Sequence, residues 1–175
     1  MSPDRPPRKG REAAMVGMAK AFRMGIERSS KFVEVFTRGL EGEDWYTRLP
    51  GVPNPAIWTL GHLAYHRGLF YEMVSGRRTY PDDWRSLFGM GCEPLADPHA
   101  YPSVETCHAY LSEAFELLVG YLDSATARDL AARPTIESRF LPTKADVLSH
   151  LVSHEAHHTG NLALVRRLLG KEKLV

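Results

Sequence analysis

Residues 150–160 read HLVSHEAHHTG, four histidines and a glutamate in a segment otherwise patterned for a helix. Stepped at about 100° per residue, His150 and His158 fall roughly 40° to either side of His154, and Asn161 lies between His150 and His154. His157 sits at the edge of that face, and Glu155 lies roughly 100° away from His154. The apolar residues Val147, Leu148, Leu151, Val152, Leu162, Val165 and Leu168 mark a core-facing stripe that overlaps the histidine face. The chain is thereby constrained to a fold in which one helix carries several imidazoles into a packed interior. Such groups are costly there unless each finds a partner.

The rest of the chain supplies helices to pack against it. From Ala13 to about Arg38, residues Met15, Ala19, Phe22, Ile26, Val33 and Phe36 recur at helical spacing. A loop rich in glycine and proline follows. A second helix is predicted from Ala56 to Val74, with Asn54 as cap and Pro55 in its first turn. The glycine- and proline-rich stretch from Ser75 to Pro102 reads as a long connection that lines a pocket mouth or covers one end of the helices. A third helix is predicted from Ser103 to Tyr121. The fourth starts after Pro142, where Thr143 and Asp146 resemble a capping box, and runs to Gly170. No segment reads as a sheet. The expectation is an all-α fold, a four-helix bundle, with the simple antiparallel order as the default. Residues 1–12 read as a flexible basic arm, 13–170 as a single domain and 171–175 as a C-terminal tail.

A chain of 175 residues, 43% of them hydrophobic, can bury one core. A formal net charge of +1 speaks against a dedicated nucleic-acid surface. No apolar run matches a membrane span or a secretory signal, so a soluble cytoplasmic protein without a membrane partner is expected. Cys92 and Cys107 fit neither a CxxC redox pair nor a thiolate zinc cluster. Cys107 is in phase with the third helix's apolar face and reads as packing.

Stacked imidazoles inside a helical fold point to a divalent metal, because an i,i+4 pair can aim two ring nitrogens at one ion. Either His154 with His158 or His150 with His154 would serve. His62 is the leading third ligand, beside Gly61, whose missing side chain lets a neighbouring helix approach. His66, one turn on, could ligate, pack or orient a ligand. The alternative is a purely structural cluster. Residues 154–158, HEAHH, also satisfy the zinc-protease pattern H-E-x-x-H, but the chain offers no substrate-binding strand. Glu155 then either reaches metal-bound water as a catalytic base or makes a salt bridge at the surface, and the surface reading is preferred. Trp58, Tyr65, His66 and Arg67 are candidate pocket residues, each read first as structural.

"NPAIWTLGHLAYHR", residues 54–67, and "HEAHHTGNL", residues 154–162, together resemble the two signatures of the DinB-like, or YfiT-like, metalloenzyme family. The resemblance spans residues 13 to 170. It implies an up-down-down-up four-helix bundle, whose long second-to-third connection must run the length of the bundle. It also implies a metal triad of His62, His154 and His158, and homodimerisation; His66, His150 and Asn161 are read from their positions as candidates to support the ligands. Where the family often shows Arg-Gly-Gln after its last ligand, this chain has Thr159, Gly160 and Asn161. Branches of the family transfer low-molecular-weight thiols such as bacillithiol or mycothiol, and others resemble metal-dependent hydrolases. The implied function is therefore metal-dependent transfer of a thiol cosubstrate to a small electrophilic molecule. A hydrolase of a small amide or ester, or a non-catalytic metal-binding or stress-associated protein, are the alternatives. Zinc is the expected ion, and nickel can replace it.

Overall fold

The computed structural model describes residues 8–172. Those residues form helices and turns, with no strand among them. Four long helices account for most of the chain: α1 (Arg8–Thr37), α2 (Ala56–Ser75), α4 (Val104–Ser124) and α6 (Lys144–Leu168). Two one-turn helices, α3 (Trp84–Phe88) and α5 (Ala127–Ala131), lie in stretches that the sequence left as connections. Each is too short to show a period, and each is held by buried side chains, Trp84 and Phe88 in α3 and Leu130 in α5.

Helix α1 begins at Arg8, before the Ala13 that its apolar stripe suggests. Past the last proline of the arm, Arg8, Lys9, Arg11, Glu12 and Ala13 are all good helix formers, so the helix starts ahead of the apolar pattern read in the sequence. Residues 1–7 of the basic arm, and residues 173–175 of the C-terminal tail, lie outside the described residues. Helix α2 starts one residue later in its capping than expected. Pro55, extended at φ −66° and ψ 161°, is the capping residue itself, and no side chain caps the helix. Its far end closes on Gly76, whose φ of 82° is a left-handed conformation that glycine adopts without strain. The Thr143 capping box is present: its hydroxyl accepts from the Asp146 amide, and the Asp146 carboxylate accepts from the Thr143 amide.

Helix α2 is buried on nearly every side rather than along one stripe, packing on α4, α6 and α3. The core falls into two apolar clusters. One gathers Val33, Ile57, Leu60, Leu63, Cys107, Leu111, Leu162 and Val165. The other gathers Ile26, Phe70, Val74, Leu118, Leu122, Val147, Leu148 and Leu151. Between them, in sequence along every one of the three helices concerned, come buried polar residues: Ser29 on α1, His66 and Arg67 on α2, Glu155 on α6. A polar layer crosses the middle of the molecule.

Candidate metal centre

Trp58, His62 and His66 recur every four residues on α2 and present one stripe to α6. Gly61 has a specific task there. A Cβ at that position would stand 2.2 Å from the Phe88 ring, so only glycine admits this ring against the helix. The space that the sequence assigned to a neighbouring long helix is filled instead by α3, from the long connection. Phe88 does a second thing: its carbonyl oxygen lies 2.7 Å from His62 Nδ1. A carbonyl can only accept, so Nδ1 carries the proton and donates, and Nε2 is left as the lone-pair nitrogen. The connection thus fixes both the rotation and the tautomer of His62.

Across from it, α6 supplies His154 and His158. His62 Nε2 stands 3.0 Å from His154 Nε2. One ring nitrogen from each of His62, His154 and His158 lies within 4.8 Å of the other two. Nitrogens on a tetrahedral zinc ion are roughly 3.3 Å apart, given bonds of about 2.05 Å. Burial lowers all three imidazoles, His62 and His158 to about 4 and His154 to about 2, and neighbouring histidines reinforce the effect. They are neutral at pH 7, the form that ligates a metal. The donor set therefore fits a divalent transition ion. Nitrogen ligands of this kind accept zinc, nickel, copper or iron, and the His62 hydrogen bond to Phe88 is the outer contact that usually orients a ligating histidine.

Buried polar atoms are normally paired. Among the described residues, the buried side-chain atoms without a hydrogen-bond partner are Trp58 Nε1, both ring nitrogens of His66, Nδ1 of His154, Nδ1 of His158, Ser30 Oγ and Tyr121 Oη. All but the last two belong to this one cluster. Such a concentration marks a place where the protein gives up hydrogen bonds that something else must satisfy.

Glu155 does not belong to it. The carboxylate is fully buried, not at the surface where the preferred sequence reading placed it. Arg67 Nε donates to Oε1 at 2.6 Å and Nη2 to Oε2 at 2.8 Å, while the Ser29 hydroxyl also donates to Oε2. Arg67 Nη1 reaches the Leu111 carbonyl at 3.2 Å. Both carboxylate oxygens are engaged, so Glu155 is not free to act as a base. Arg67, read first as a structural pocket residue, is the cation that holds it.

The remaining sequence candidates divide. His66 is buried, with its ring centroid 4.2 Å from that of His62 and 4.7 Å from that of His154, but it is outside the close triad. Burial lowers it to about 3; the Phe88 carbonyl lies near, but His66 makes no hydrogen bond with it. His150 is exposed, its ring centroid 6.0 Å from that of His154 and edge-on to Phe70. His157 is exposed, and Asn161 is half-buried. Trp58 stacks on His62 at 4.5 Å, and Tyr65 meets His66 and Tyr80 edge-on. Cys107 is buried in the core, and Cys92 donates to the Arg85 carbonyl; both thiols are free. Two contributors escaped the sequence reading: Phe88, acting through its carbonyl, and Arg67 as the partner of Glu155. Gly61 was the available signal for the first.

No helix among the described residues is long and apolar enough to cross a membrane. No curated protein matches the chain. The family model described as the DinB superfamily matches residues 26–162, from the middle of α1 to the last turns of α6, and spans both histidine-bearing helices. The chain belongs to the DinB superfamily.

Proposed function

We propose that this protein is a metal-dependent enzyme that transfers a low-molecular-weight thiol, bacillithiol-like, to a small electrophilic substrate at a centre formed by His62, His154 and His158. The observation that carries the reading is the three-imidazole cluster itself, neutral, with His62 buried and His154 and His158 half-buried, and with the buried carboxylate of Glu155 tied up by Arg67. The three histidines would hold the ion, zinc by preference and nickel as a replacement, and the Phe88 carbonyl would keep His62 turned toward it. A divalent ion bound there supplies Lewis acidity that lowers the pKa of a thiol or of water.

Thiol chemistry suits this surrounding better than hydrolysis does. A thiol needs only to lose a proton to become a strong nucleophile, whereas attack by water ordinarily draws on a neighbouring base. Glu155, the residue that the H-E-x-x-H pattern nominates as that base, is occupied. The chain's own thiols do not suit the part of nucleophile: burial pushes Cys107 up to about 12, and Cys92 is turned onto a carbonyl of the connection. The thiol is therefore a cosubstrate.

The proposal includes an up-down-down-up order of the four long helices. Its support is the order in which each helix visits the two apolar clusters: α2 and α4 go from the Leu63 cluster to the Phe70 cluster, α1 and α6 the other way. It also includes a cytoplasmic homodimer, supported by exposed apolar residues on α1 and α6, among them Met24, Phe32, Leu164 and Leu168. Elemental analysis of tag-free protein, followed by a conjugation assay with and without added thiol, tests the central claim. About one transition ion per chain and a thiol-dependent loss of electrophile are expected. Metal-free protein that refuses zinc and nickel would overturn it; thiol-independent turnover of amides or esters would move the assignment to hydrolase.

A further inference from the structure

His62 stands on α2 between two polar side chains that have no partner. Trp58, 6% exposed, leaves its Nε1–H without an acceptor, and His66, 9% exposed, leaves both ring nitrogens unpaired. Their ring centroids lie 4.5 Å and 4.2 Å from that of His62, on the same stripe of α2. An indole nitrogen can only donate, and a neutral imidazole always carries one N–H, so each residue offers a donor. Burying such groups unpaired is unfavourable, so a ligand that accepts from them gains by doing so.

Charge narrows the kind of ligand. The metal-holding group consists of imidazoles alone, with no carboxylate in it. The nearest buried carboxylate, Glu155, is neutralised by Arg67. A divalent ion among three neutral imidazoles would carry two uncompensated charges in a partly buried setting, where electrostatic attraction is stronger than in water. One thiolate offsets one of them. A second anionic group on the same molecule would offset the other and could accept from the unpaired donors.

Building on the metal-dependent thiol reading, we propose that Trp58 and His66 are carboxylate-recognition residues that make the centre prefer a thiol bearing a carboxylate. They act on specificity, not on holding the ion. A one-carbon spacer between the two anionic groups suffices for the smallest member of this class, mercaptoacetate. 2-Mercaptoethanol has the same thiol arm with a neutral hydroxymethyl group in place of the carboxylate.

The test is spectroscopic and needs no turnover. Full-length protein loaded with Co(II) is titrated with each thiol, and thiolate binding is followed by the change in cobalt absorption at a pH where both thiols are compared at equal thiolate concentration. Wild type is expected to bind mercaptoacetate about tenfold more tightly or better. Trp58→Phe, which keeps the stacking ring and removes the N–H, and His66→Phe should each lose most of that preference while still taking up one cobalt. His66→Gln, which restores a donor, should recover part of it and serves if the phenylalanine variant fails to fold. Equal affinity of wild type for the two thiols, or a preference that survives both Trp58→Phe and the His66 variants, overturns this inference alone. Loss of cobalt binding in the His66 variants, as in His62→Ala, makes His66 a metal ligand and also overturns it. Cobalt uptake with no response to either thiol overturns the thiol reading and this inference with it, and absence of cobalt uptake overturns the metal reading itself.

Discussion

Two buried polar assemblies lie side by side between α2 and α6, and they have opposite hydrogen-bond economies. Arg67 and Glu155 follow His66 and His154 directly in sequence, so the two helices contribute one residue to each assembly at the same level. In the ion pair every strong acceptor is used: both Glu155 oxygens accept from Arg67, Ser29 adds a third contact, and Leu111 takes the remaining arm of Arg67. Among the imidazoles most ring nitrogens facing the interior have nothing to bond to. A fully paired assembly has no capacity left for a ligand and serves the fold. An underpaired one stores that capacity and serves binding. The H-E-x-x-H pattern spans both and so conflates them.

The sharpest way to break this contrast is to remove one member of the ion pair. Glu155→Ala strands the Arg67 charge in the core and should cost about 3–5 kcal/mol in a denaturant melt, as breaking a buried pair from one side does. A cost below about 1 kcal/mol would mean that the pair is not what holds the four helices together. Removing a triad histidine should do the reverse. His62→Ala, His154→Ala or His158→Ala should each weaken zinc binding by a hundredfold or more, while the metal-free His158→Ala variant melts within about 1 kcal/mol of the parent, since an unpaired, half-buried imidazole contributes little to the fold. Competition with a chromophoric chelator reads the affinity. His157→Ala, at an exposed position, is the control and should leave it unchanged.

A smaller effect, about tenfold in zinc affinity, is expected for Gly61→Ala. The added methyl must displace the Phe88 ring, and with it the carbonyl that sets the His62 tautomer. Unchanged affinity in that variant would detach the connection from the metal site. Acid perturbs the cluster without any substitution. The imidazoles are lowered by burial to about 4, 3, 2 and 4 for His62, His66, His154 and His158, below the ordinary value of 6.5. Between those limits the unfolded chain binds more protons than the folded one, so stability falls as pH falls. Metal-free protein should be flat above about pH 7 and lose stability steadily from about pH 6.5 toward pH 4. Urea midpoints across that range decide it, and a flat profile would show that the rings are not buried neutral.

Much of this was legible from local pattern. The face shared by His154 and His158 follows from helical spacing alone, as do the Thr143 cap and the core position of Cys107, because each depends on residues within a turn or two. What escaped depends on which helix lies beside which. Glu155 was correctly placed off the histidine face, but only the order of helices shows that Arg67 and Ser29 are what it meets there. The role of Phe88 was hidden more deeply, since a backbone carbonyl has no residue signature. Gly61 announced that something approaches closely, without saying that it comes from the connection and not from a long helix. The one-turn helices α3 and α5 were missed for want of length.

The knot around Glu155 has a kinetic consequence. Ser29, Arg67, Leu111 and Glu155 lie on α1, α2, α4 and α6, one from each long helix, and they meet through a single guanidinium and a single carboxylate. No one of the four can swing out without exposing part of a charge network that the others still need. Partial opening is therefore penalised almost as heavily as complete opening. The amides of the four long helices around this layer should exchange with solvent as one cooperative unit at the rate of global unfolding, while α3, which packs on α2 but takes no part in the knot, is free to open first and release its hold on His62.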